Sequence, residues 1–85
     1  MIRAEIKITL KEGVLDPQGV TLKRSLDTLG YHSIAEVRFG KLVQLRIQGT
    51  QPEEAAPMVE RICQQVLANP VIETYSYQLG VDRDE

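Results

Sequence analysis

Between Ile2 and Leu10 every second residue is apolar: Ile2, Ala4, Ile6, Ile8 and Leu10 alternate with Arg3, Glu5, Lys7 and Thr9. A period of two belongs to a strand with one buried face and one wet face, so the pattern predicts a strand over 2–10. The period then changes. Leu22, Leu26 and Leu29 fall at i, i+4 and i+7, one apolar stripe of a helix over 17–29, with Lys23, Arg24 and Asp27 pointing away. Gly30 stands where a left-handed C-terminal cap belongs. Between the two patterns lies Gly13-Val14-Leu15-Asp16-Pro17-Gln18-Gly19, a strand-to-helix connection. Gly13 can take backbone angles closed to other residues. Asp16 is a good helix N-cap and Pro17 suits the first helical position.

From Ile34 to Ile47, Val37 and Phe39 share a face, and so do Val43, Leu45 and Ile47. Two conformations fit. A hairpin with the three-residue loop Gly40-Lys41-Leu42 sets Phe39 opposite Val43 and Val37 opposite Leu45. One long strand bent at Gly40 has the same parity. The hairpin is the preferred reading. Thr50 followed three residues on by Glu53 has the form of a capping box. Ala55, Val59, Ile62, Cys63 and Val66 mark the buried face of a second helix over 52–68, and Pro57 is expected to distort its first turns. Asn69-Pro70 stops that helix. Val71, Tyr75, Tyr77 and Leu79 then share one face of a last strand over 71–79.

This order predicts an α+β fold: a two-layer sandwich with a mostly antiparallel sheet and two helices on one face, β-α-β(β)-α-β, a relative of the ferredoxin-like arrangement. The opposite sheet face is expected to carry Arg3, Glu5, Lys7, Glu36, Arg38, Gln44 and Arg46.

With 85 residues the chain reads as a single domain, 1–85, with a loose charged tail from about residue 82. Ten basic and twelve acidic residues are interspersed, for a net charge of −2. No basic stripe is available for phosphates, and one Phe, three Tyr and no Trp offer little base stacking, so nucleic acid is not an expected partner. Cys63 is the only cysteine, which excludes an internal disulfide; with a single His it also argues against a zinc site. The first residues lack an apolar signal core, and no run approaches the roughly 20 apolar residues of a membrane helix. A cytoplasmic chain with no membrane partner is expected.

Candidate chemistry is sparse. His32 has no spaced partner to position it. Cys63 lies on an apolar stripe, where a thiol packs as a small hydrophobe. Glu53 and Glu54 sit at a helix start and Asp82 and Asp84 in the tail, so neither pair makes a rigid acid/base dyad. A phosphate loop is absent, since Val20 and Thr21 follow Gly19. Lys41 at its glycine turn is the best candidate for a functional surface charge, against the plainer reading of a solvated hairpin tip. The residues favour a subunit over an enzyme.

Three segments then carry a resemblance: the 13–19 connection after a strand, Val37-Arg38-Phe39-Gly40-Lys41 in the middle, and Leu67-Ala68-Asn69-Pro70-Val71-Ile72-Glu73 before the last strand. Their order and spacing resemble the PurS family, the small subunit of phosphoribosylformylglycinamidine synthase, over nearly the whole chain. The resemblance implies a non-catalytic subunit that self-associates and bridges a PurL-type synthetase and a PurQ-type glutaminase. The complex so implied converts formylglycinamide ribonucleotide, glutamine, ATP and water into formylglycinamidine ribonucleotide, glutamate, ADP and phosphate. ATP and magnesium are used by the complex, with no cofactor bound by this chain. Gly13, Asp16, Pro17, Gly19, Arg38, Gly40, Lys41, Asn69 and Pro70 are the family markers and candidate interface residues. Self-association is expected through a sheet edge. Pro57 and the charged tail depart from the family pattern. An ACT-like small-molecule-binding module is the alternative; an acylphosphatase-like enzyme is disfavoured because Glu12 would stand beside its anion cradle.

Overall fold

The computed structural model describes residues 1–81. β1 (Ile2–Leu10) lies between β2 (Gly40–Ile47) and β3 (Glu73–Val81), antiparallel to both, in a three-stranded sheet of order β2-β1-β3. The register keeps parity across the sheet. Ala4 faces Leu45 and Leu79, and Ile6 faces Val43 and Tyr77. Ile2, Ala4, Ile6 and Ile8 are buried, while Arg3, Lys7 and Thr9 are exposed. The strand therefore forms because its two hydrogen-bonding edges and its apolar face are all satisfied at once.

α2 (Pro52–Ile62) lies over β1 and β3. Val59 and Cys63 pack with Ala4, Ile6, Ile8 and Ala68 as the core, with Val43, Leu45, Ile47, Tyr75 and Tyr77 around it. The helix runs through Pro57, whose ring is exposed, so the distortion expected there does not interrupt it. The expected capping box does not form. Pro52 occupies the first helical position, which makes Gln51 the N-cap, and the Thr50 hydroxyl donates to the Gln48 carbonyl instead.

The expected helix to residue 68 ends in a π-helical turn, Cys63–Leu67, closed by the Ala68 N–H donating to the Cys63 carbonyl at 3.0 Å. Wider winding changes which residues face inward. Val66, three residues after Cys63, would share its face in an α-helix, but it is 74% exposed, while Leu67 and Ala68 turn to the core.

α1 (Pro17–Thr28) ends as expected, with Gly30 at φ +100°. Its cap is a pair of hydrogen bonds, Gly30 N–H donating to Asp27 C=O and Tyr31 N–H to Leu26 C=O. Its burial is unusual. Gly19 is its only buried residue, and it adds no side chain to the core. Leu22 and Leu29 are exposed. α2 thus covers the β1–β3 part of the inner sheet face, while on the α1 stripe Leu22 and Leu29 stay exposed and Leu26 is half-buried. The radius of gyration is 16.7 Å, against about 12 Å for a compact chain of this length.

The preferred hairpin over 34–47 is not formed, nor is a single strand that starts at Ile34. β2 begins at Gly40, and residues 34–39 have no regular structure. Gly40 already pairs with Thr9, one residue from the end of β1, so no partner strand remains for the preceding segment. Glu36 and Arg38 therefore belong to this connection, not to the outer sheet face. Likewise Val71 lies in the turn before β3 and is exposed. The tail and the Asp82/Asp84 pair lie outside the described residues.

Urea denaturation checks the core. Ile6→Ala is expected to cost about 2–5 kcal/mol, and Ile6→Val about 1 kcal/mol, because the first leaves a larger cavity under α2.

Candidate functional site

The 13–19 connection turns on Asp16. Its backbone is extended (φ −114°), and the residue is 7% exposed. Oδ1 accepts from the Gly19 N–H at 2.9 Å, the N-cap bond expected from the sequence. Oδ2 accepts from the Phe39 N–H at 2.7 Å, twenty-three residues away. Pro17 follows at the first helical position. Gly19 is required by close approach, since a Cβ there would lie 2.1 Å from the Val37 carbonyl oxygen. The Phe39 N–H first, then the Gly19 N–H, hold the Asp16 carboxyl below its ordinary value, and the Arg38 charge adds to them against burial.

The other two marker segments arrive at the same end of the sheet. Arg38 Nη2 donates to the Leu10 carbonyl at 2.8 Å and to that of Lys11 at 3.2 Å, and Nη1 lies 3.5 Å from Glu36. Lys11 donates its N–H to the Ile72 carbonyl at 2.8 Å and its Nζ to that of Pro70 at 2.7 Å. Asn69 Oδ1 accepts from the Val71 N–H at 3.0 Å, which makes the turn, and the Asn69 N–H donates to Glu73 Oε1 at 2.7 Å. Lys41 Nζ lies 3.5 Å from Glu73 Oε2. Lys41 pairs across to Ile8 and Glu73 to Leu10, so this ion pair spans β1 at the open end of the inner face. Gly13, at φ +86°, ends the strand there, and Gly40 opens β2 opposite Thr9. A cleft of about 190 Å³ remains between Asp16, Gln18, Phe39, Lys41 and Glu73.

Nine residues chosen in three separate stretches therefore meet at one end of the sheet. Their polar groups point at one another and at backbone. Asp16 and Glu73 already accept from N–H donors. Arrangements of this kind fix geometry. Among the described residues no three His, Cys, Asp or Glu side chains are grouped to hold a metal ion. His32 is exposed, with Nδ1 4.0 Å from Asp27. Burial, then the nearby Glu60 charge, push the Cys63 thiol up, which keeps it protonated and unreactive.

Sequence patterns missed a second polar group. Glu60 on α2 accepts from the Tyr75 hydroxyl, from Gln64 Nε2 at 2.8 Å and from the Tyr77 hydroxyl at 3.0 Å. This clasp ties α2 to β3. Tyr75 first, then Gln64 and Tyr77, hold the Glu60 carboxyl down, and Glu60 in turn holds both phenols up. The shared parity of Tyr75 and Tyr77 was the only signal for it.

Comparison with known proteins gives one answer. The family described as PurS, phosphoribosylformylglycinamidine (FGAM) synthase, matches residues 3–80. The phosphoribosylformylglycinamidine synthase subunit PurS of Methanocaldococcus jannaschii is 38% identical over 85 residues, covering all of both chains. The crystal structure of M. jannaschii PurS superposes with a TM-score of 0.86 at 35% identity, over 98% of this chain and 100% of that one. A chain of the PurLQS structure from Thermotoga maritima superposes with a TM-score of 0.83 at 28% identity, over 92% and 95%.

The Glu60 clasp sets a pH dependence at both ends. The lowered Glu60 carboxyl gives stability that is present above its unfolded value, about pH 4, and lost as pH falls through the folded value. The raised phenols give stability that is present below about pH 10 and lost as pH rises through theirs. Glu60→Gln is expected to return Tyr75 and Tyr77 toward about 10 in an ultraviolet tyrosinate titration and to flatten the acid limb of a denaturation series.

Proposed function

Since the chain belongs to the PurS family, we propose that it is the small subunit of a phosphoribosylformylglycinamidine synthase, acting in de novo purine synthesis beside a PurL-type and a PurQ-type subunit. The family match along residues 3–80, with a likeness to a chain of the PurLQS structure, carries this reading. It takes the place of the ACT-like and acylphosphatase-like alternatives. The synthetase partner, with ATP and magnesium, activates and amidates formylglycinamide ribonucleotide. Its glutaminase partner releases the ammonia from glutamine. This chain holds the two in the geometry that ammonia transfer needs, in the cytoplasm. The clustered marker residues Gly13, Asp16, Pro17, Gly19, Arg38, Gly40, Lys41, Asn69 and Pro70 shape the end of the sheet that contributes to the interfaces.

The chain also associates with a second copy. Two apolar surfaces support this: the α1 stripe, with Leu22 and Leu29 exposed, and the inner face of β2, where Val43, Leu45 and Ile47 are only partly buried. A twofold arrangement lets the helix of each copy cover the strand of the other, so one pair of patches serves both copies. The outer edges of β2 and β3 are available for the strand pairing expected from the sequence.

Reconstitution tests the bridging role. Omitting this chain from a mixture of its synthetase and glutaminase is expected to abolish glutamine-dependent turnover and to spare the ammonia-dependent rate. Unchanged glutamine coupling would overturn it. Light scattering tests self-association: the wild-type chain is expected to exceed monomer mass at micromolar concentration, and Leu22→Glu to return it to a monomer.

A further inference from the structure

α1 has an ordinary amphipathic sequence but an extraordinary attachment. It gives no side chain to the core, and Gly19, its one buried residue, has no side chain to give. The helix is held at its N-terminal end instead. There the Asp16 carboxylate grips two elements at once, the first turn of α1 through the Gly19 N–H and the approach to β2 through the Phe39 N–H. Gly19 lets the helix come against the Val37 carbonyl, closer than any side chain would allow. Arg38, between those two acceptor and donor positions, is itself anchored on the Leu10 and Lys11 carbonyls at the end of β1. The base of the helix is thus fixed to the sheet, while Leu22 and Leu29 of the stripe beyond it stay exposed.

We propose that Asp16 is a positioning residue for assembly: its two-pronged clasp sets the direction in which α1 leaves the sheet, and so places the apolar stripe for a second copy. Capping alone needs one oxygen; the second oxygen serves orientation. The consequence for assembly rests on the self-association reading above, whereas the joint itself belongs to the single chain.

Two variants separate capping from clasping. Asp16→Asn caps about as well as aspartate, but with its carbonyl on Gly19 its amide donor faces the Phe39 N–H. Asp16→Ser keeps a capping hydroxyl and has no second acceptor. In the full-length chain, amide hydrogen exchange at Phe39 and through α1 is expected to quicken by about tenfold or more in both variants, as for loss of a bond to a charged acceptor. Amides of Ile6 and Ile8 should stay within about twofold of wild type, because the sheet opens independently. Self-association measured by sedimentation should weaken by about tenfold or more. Wild-type exchange in α1, unchanged association, or parallel loss of protection at Ile6 and Ile8 would each overturn the proposal. A wild-type chain that stays monomeric would instead remove the self-association reading and, with it, the assembly role of Asp16, leaving only the exchange comparison as a description of the joint.

Discussion

In β1, Ile2, Ala4, Ile6 and Ile8 all lie on the face that α2 covers, and both edges of the strand are hydrogen-bonded. β2, β3 and α2 answer to that arrangement. β2 and β3 must present their apolar residues at matching parity, or the sheet would bury charge. α2 must bring Val59 and Cys63 down on the same rows. A slip of one residue in the β1–β2 ladder would turn Gln44 and Arg46 inward, and one in the β1–β3 ladder would turn Ser76 and Gln78 inward, where this small core has little to satisfy them.

Polar groups do a different job at the end of the sheet. Three connections converge there, and each is tied by side chains that reach backbone: Asp16 to Phe39, Arg38 to Leu10 and Lys11, Lys11 to Pro70. Such bonds contribute direction more than depth of burial. They let a helix stand away from its own sheet while its base is held. For the bridging role proposed above, an apolar stripe kept presented and in a fixed pose is more useful than one folded away at home.

Much of the fold was legible from period alone. The alternation over 2–10 gave β1, the leucine spacing gave α1, and Gly30 marked its end. The errors have one origin. Val37 and Phe39 have the parity of a strand, but a strand also needs a neighbour, and β1 is too short to supply one. Thr50 and Glu53 have the spacing of a capping box, but Pro52 starts the helix one residue later. Val66 has the spacing of a buried residue, but the π-helical turn rotates it out. In each case the local pattern was sound, and a contact or constraint beyond it decided the outcome.

The candidate site shows the same division. The residue types in 13–19, 37–41 and 67–73 mark a family by themselves, because caps, tight turns and close approaches demand particular residues at particular places. Their meeting at one end of the sheet, the second bond of Asp16, and the Glu60 grip on Tyr75 and Tyr77 join residues from 15 to 59 positions apart. Short-range periodicity carries no record of such distances. The sequence by itself determined the elements, the parity of the central strand and the family; only the tertiary structure decided that one helix covers the core and the other is held by its base, because that depends on which long-range hydrogen bonds form when the strands come together.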